Sequence, residues 1–133
     1  MKQPREAVLA AVVLTHLGLC LVHGFAHARA GVTLSQASTL FVFGVILAGP
    51  VLGLVVQLVA FPRAGAWIVA ASMAGALVFG LWNHFLVHGA DHVSQVPEPW
   101  GALFGTTAAL LVVTEALGTA VGAWRATAAR AAS

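Results

Sequence analysis

Residues 37–61 read ASTLFVFGVILAGPVLGLVVQLVAF, with no charged side chain and no histidine. At about 1.5 Å of rise per residue, such a helix more than covers the ~30 Å hydrocarbon core of a bilayer. Three further runs have the same character, over residues 7–27, 66–88 and 100–124. Joints at 29–38, 62–65 and 89–99 separate them, short enough to make consecutive spans antiparallel neighbours. The expected fold is therefore all-α: an integral membrane four-helix bundle of up-down topology, with residues 1–133 as a single domain. Pro50, preceded by Gly49, falls inside the second span and is expected to kink it.

Composition agrees with this reading. Sixty per cent of the 133 residues are hydrophobic and only 8% charged, against about 25% charged in an ordinary soluble domain. A soluble chain of this size buries too little of its surface to hide so much apolar area. The net charge of +2 comes from scattered cations, which excludes the basic stripe of a nucleic-acid binder. Cys20 is the only cysteine, so no intrachain disulfide can form.

The cations set an expected orientation. Lys2, Arg5, Arg63, Arg125 and Arg130 fall on one side of the four-span scheme and Arg29 alone on the other. The positive-inside bias puts both termini and the middle joint in the cytoplasm. Trp67 and Trp124 then mark the inner interface and Trp100 the outer one. The expected location is a cell membrane, of the bacterial inner-membrane kind. Residues 1–5 and the apolar run behind them share the outline of a secretory signal, with Ala26 and Ala28 at a cleavage-like spacing. That run exceeds the ~7–15 residues of a signal core and carries three histidines, so it reads as a true span.

All six histidines fall in or at the ends of the first and third spans: His16, His23, His27, His84, His88 and His92. Ionisable groups at membrane depth are costly and turn toward the bundle interior, where they mark function. At ~100° per residue, His23 and His27 lie within ~20° of His16, with Cys20 ~40° away. Both helices run outward, so His23 and His84 each lie ~25 Å from the inner interface, and His27 and His88 ~31 Å. Two i, i+4 pairs at matching levels can share one metal ion. Asp91 and His92 are the further candidate ligands, although His92, on the outer joint, is expected to be the most solvated of the six. Neutral imidazole is the expected form, since a metal ligand must be deprotonated.

Deeper in the bundle, Glu115 in the fourth span lies ~14 Å from the inner interface and His16 ~15 Å. A contact between them, with Cys20 nearby, would serve as support for the metal site or as a step in a proton path. Met73 is read as packing, and Gln57 has no assigned role.

Three classes of function follow. The first is a transition-metal site toward the outer face, for metal handling or redox chemistry. Imidazole-rich ligation suits Zn, Cu or Fe, and the scarcity of carboxylates argues against Mg or Ca. The second is a single b-type haem between His23 and His84, with Gly24, Gly80 and Gly89 making room, passing electrons to a quinone or a partner subunit. In that outline the chain resembles four-helix membrane cytochromes b. The third is a structural membrane subunit without cofactor, docked into a larger complex or self-associated through its small residues. The HxxxH pairs at His23–His27 and His84–His88 resemble the histidine boxes of membrane desaturases and hydroxylases. Those families are longer and use more histidines for a di-iron centre, so their activity is not carried over. No nucleophile elbow, phosphate-binding loop, dinucleotide fingerprint or CxxC pair is present.

Overall fold

A computed structural model describes residues 4–128, with side chains from Ala7 onward. Lys2 and Arg130, two of the cations that set the expected orientation, lie outside these residues. The described chain is helical apart from its joints, and four helical stretches are long and apolar enough to cross a membrane: Ala7–Ala30, Gln36–Val59, Pro62–Leu86 and Gly101–Ala128.

The first stretch is one helix, α1 (Pro4–Ala30). Gly31 ends it at φ 70°, a left-handed conformation that only glycine adopts without strain. The Gly31 amide donates to Ala28 O at 3.4 Å and that of Val32 to His27 O at 3.1 Å, which is the Schellman pattern. The last turn, which carries His27, is thereby closed.

The second stretch is broken into α2 (Gln36–Phe41), a π-helical segment (Val42–Ala48) and α3 (Gly49–Val59). Pro50 explains the break. Its ring lacks an N–H and crowds the carbonyl four residues earlier, and the turns before it widen to the i→i+5 pattern. The Ile46 carbonyl, deprived of that amide, accepts instead from His16 Nε2 at 3.2 Å. Thus the expected kink takes the form of a π segment, and it creates a tie to α1.

The third stretch comprises α4 (Pro62–Leu81) and a terminal π turn (Trp82–Leu86), after which Val87 is extended at φ −99°, ψ 119°. The fourth is α5 (Gly101–Ala128). α4 packs against both α3 and α5, α5 packs against α1, and a smaller contact between α1 and α3 closes the ring. Small residues allow the close approaches. A Cβ on Gly122 of α5 would meet Ala70 N of α4 at 2.9 Å, and one on Gly65 would meet Gly53 O of α3 at 2.5 Å. Without a hydrophobic force between helices in lipid, such backbone contact is what holds spans together.

Two apolar clusters bracket the interior. Leu9, Val13, Val69 and Met73 form one, so Met73 is packing, as its position predicted. Ala26, Val96 and Phe104 form the other, which pins the 87–100 connection to the ends of α1 and α5. Large apolar side chains such as Leu14, Leu21, Phe43, Val78 and Leu117 face outward, the arrangement suited to lipid.

Candidate metal centre

His23 and His27 lie one turn apart near the end of α1, and His84 lies in the terminal π turn of the third stretch. The three present donor nitrogens that all fall within 4.8 Å of one another. His23 and His84 are 6% and 7% exposed. Their Nε2 atoms are 3.3 Å apart, with the rings nearly perpendicular at 77°. Phe104, fully buried, lies against all three imidazoles at centroid distances of 4.6, 4.7 and 5.3 Å. It seals one side of the cluster with an apolar wall.

The partners of the outer nitrogens favour one tautomer of each ring. The Thr107 hydroxyl donates its single proton to its own helix, at Leu103 O (2.8 Å) and Phe104 O (3.1 Å). With that proton in the helix, its oxygen accepts from His23 Nδ1, 2.8 Å away. The backbone carbonyl of Asp91 likewise can only accept from His84 Nδ1, at 2.9 Å. With both Nδ1 atoms protonated, the neutral rings turn two Nε2 lone pairs toward each other. In that tautomer pair a metal ion or a shared proton fits between them. A tetrahedral metal held by nitrogens at ~2.0–2.1 Å sets adjacent donors about 3.3–3.4 Å apart, which is the separation found. Thr107 and Asp91 then occupy the supporting positions that fix ligand orientation at metal sites.

Asp91 also brings a carboxylate oxygen to 3.1 Å from His27 Nε2 and 3.3 Å from His84 Nδ1. That Oδ1 is buried and makes no well-aligned hydrogen bond. The connection folds back to deliver it, anchored by Val93 N donating to His84 O at 3.0 Å.

His88 and His92 stand apart, contrary to the two matched pairs expected. The π turn and the extended Val87 end the helix before His88, so the ~100° spacing no longer applies to it. His88 is exposed and rests on His92 at 4.4 Å between ring centroids. His92, expected to be the most solvated, is only 8% exposed. Its Nδ1 contacts Ser94 Oγ at 2.8 Å and its Nε2 contacts Phe85 O at 3.3 Å. Both nitrogens are thus engaged in shaping the connection.

The second constellation lies deeper, between α1, the π segment and α5. His16 is 1% and Glu115 3% exposed. His16 Nδ1 is 4.0 Å from Glu115 Oε1, and Cys20 Sγ is 3.3 Å from His16 Nε2. At 4.0 Å the His16–Glu115 contact is electrostatic rather than a hydrogen bond. Glu115 Oε2 has no hydrogen-bond partner. Gln57 is also buried, with both amide atoms unpaired, away from this site.

No family model, curated protein or solved structure matches this chain. The functional reading therefore rests on the geometry alone. Sequence reasoning missed Thr107 and Phe104. A threonine and a phenylalanine are ordinary in an apolar helix, and only their spacing on α5 opposite His23 could have hinted at them. Thr107→Val keeps the shape but leaves His23 Nδ1–H without an acceptor. It is expected to weaken metal binding by about 10–100-fold, measured by competition against a chelator of known affinity.

Proposed function

We propose that this chain is an integral membrane protein that binds a transition metal ion, Zn, Cu or Fe, through His23, His27 and His84, for metal handling or redox chemistry. The observation that carries the reading is the pair of Nε2 atoms 3.3 Å apart whose Nδ1 atoms are committed elsewhere. His27 is the third ligand, and Asp91 orients His84 and His27 from behind. His88 and His92 shape the outer connection. His16, Cys20 and Glu115 form a polar step below the metal, suited to supporting it or passing protons.

A metal ion is favoured over haem. Axial haem ligands act from opposite faces of a macrocycle, whereas these two rings touch nearly at right angles, with Phe104 against both. The protein purified in detergent without chelators should contain about one metal per chain by elemental analysis. The metal should disappear when all three histidines become alanine. No metal as purified, and none after incubation with Zn, Cu or Fe, would defeat the reading and leave a proton shared between His23 and His84.

The proposed topology is up-down, with both termini in the cytoplasm and the cluster toward the outer face. Arg63 and Arg125 on one side against Arg29 on the other support it. A reporter that fluoresces only in the cytoplasm should report from either terminus and stay dark in the 89–99 connection. Association with a larger membrane complex or with a second copy remains part of the proposal, through the exposed apolar helix faces.

A further inference from the structure

Beside the histidine cluster lies a cavity of about 520 Å³, lined by α1, the second stretch, α4 and α5, a size typical of small-molecule sites. It arises because α1 packs extensively on α5 but not on α2 or the π segment. The gap between them is bordered by Leu21 and Phe43, which line the cavity and are 65% and 63% exposed. The cavity thus opens sideways, toward the face that meets lipid, rather than only at an end of the bundle. Most of its wall is apolar, including Leu47, Phe79 and Val112.

Its polar groups are few and converge. Glu115 lines it, is 3% exposed, and keeps Oε2 without a hydrogen-bond partner. Gly80 sets no side chain against that oxygen, where a Cβ would come to 3.7 Å from it. His23, His27, His84 and Asp91 line the same space further along. A buried polar atom without a partner calls for an explanation, and an incoming hydrogen-bond donor supplies one. Phe43 and Phe79 offer aromatic faces beside it.

We propose that this cavity binds a membrane-dissolved molecule with a hydroxyl-bearing ring head, of the phenol or quinol type, entering between α1 and the second stretch and hydrogen-bonding Glu115 Oε2. The proposal rests on the reading of the chain as a membrane protein and not on the metal. The apolar tail of the ligand occupies the mouth between Leu21 and Phe43, and its head passes Phe79 to reach Glu115.

The test uses the full chain in lipid nanodiscs, with 4-decylphenol as probe and decylbenzene, identical but for the hydroxyl, as control. Native mass spectrometry should show a one-to-one adduct with decylphenol and at least tenfold weaker retention of decylbenzene. Gly24 lines the cavity and a Cβ there meets nothing within 4 Å, so the bulk of Gly24→Leu is added at the cavity wall. It should lower decylphenol binding at least tenfold while metal content is unchanged. Glu115→Leu should bring decylphenol down to the level of decylbenzene, removing the preference rather than the cavity. Equal retention of the two probes by the wild-type protein, or undiminished decylphenol binding by Gly24→Leu, would overturn the proposal. Metal content, measured on the same samples, reports separately on the metal reading. Decylphenol binding should survive in the wild-type protein stripped of metal by a chelator, which leaves the cavity wall intact, and its loss there would overturn the proposal.

Discussion

Replacing His84 with alanine is expected to lower metal affinity by on the order of 100-fold or more, while His88→Ala leaves it unchanged. Structural metal sites gain ~10–16 kcal/mol from about four ligands, so one ligand is worth several kcal/mol. His84 also holds the 3.3 Å contact with His23 and the hydrogen bond that anchors Asp91. Its removal therefore loosens both the donor pair and the supporting carboxylate. His88, exposed and in tilted ring contact with His92, contributes to neither. Titration with Zn against a competing chelator separates the two variants. A second readout is thermal stability in detergent. Metal at ~100 times the wild-type dissociation constant should stabilise the wild-type fold by about 2.7 kcal/mol, and that gain should fall to about 0.4 kcal/mol or less in His84→Ala and persist in His88→Ala. Equal affinities for the two variants would place the metal elsewhere.

Gly65→Leu is expected to prevent stable folding, and Gly65→Ala to destabilise by about 3 kcal/mol or more. Overpacking in a well-filled interior typically costs ~1–3 kcal/mol when side chains can yield. Here the obstructing atoms are backbone, at Gln57 and Gly53 of α3, and cannot rotate away. The loss should appear as a lower melting temperature in detergent for the alanine variant and as aggregation for the leucine variant. Gly105→Ala on α5, where a Cβ meets nothing within 4 Å, is the matched control and should change little. Comparable stability of Gly65→Ala and Gly105→Ala would mean that α3 and α4 are not packed backbone to backbone.

Much of the site was legible in the one-dimensional pattern. The i, i+4 spacing of His23 and His27 puts both on one face of α1, and that helix is regular through Ala30. His84 could be paired with them because both helices rise at the same rate from the same side. The proximity of Glu115 to His16 followed from the same depth count. The step that failed was extending helical spacing past His84. A π turn adds a residue without a full turn, so His88 leaves the stripe and Asp91 arrives by a returning connection instead.

What the amino-acid order determined by itself is what depends on local periodicity and solvent: four long apolar helices, an interior facing for the histidines of α1, and a break near Pro50. Hydrophobic run length and the missing proline amide are properties of a short segment, independent of what packs against it. Tertiary structure alone decided the hydrogen-bond partners of the histidines, the wall that Phe104 supplies, the support from Thr107, and the sideways cavity. Each depends on where α5 and the 87–100 connection lie relative to α1. That placement comes from backbone contacts at small residues such as Gly53, Gly65 and Gly122, and shape complementarity between distant segments leaves no periodic trace in a single chain.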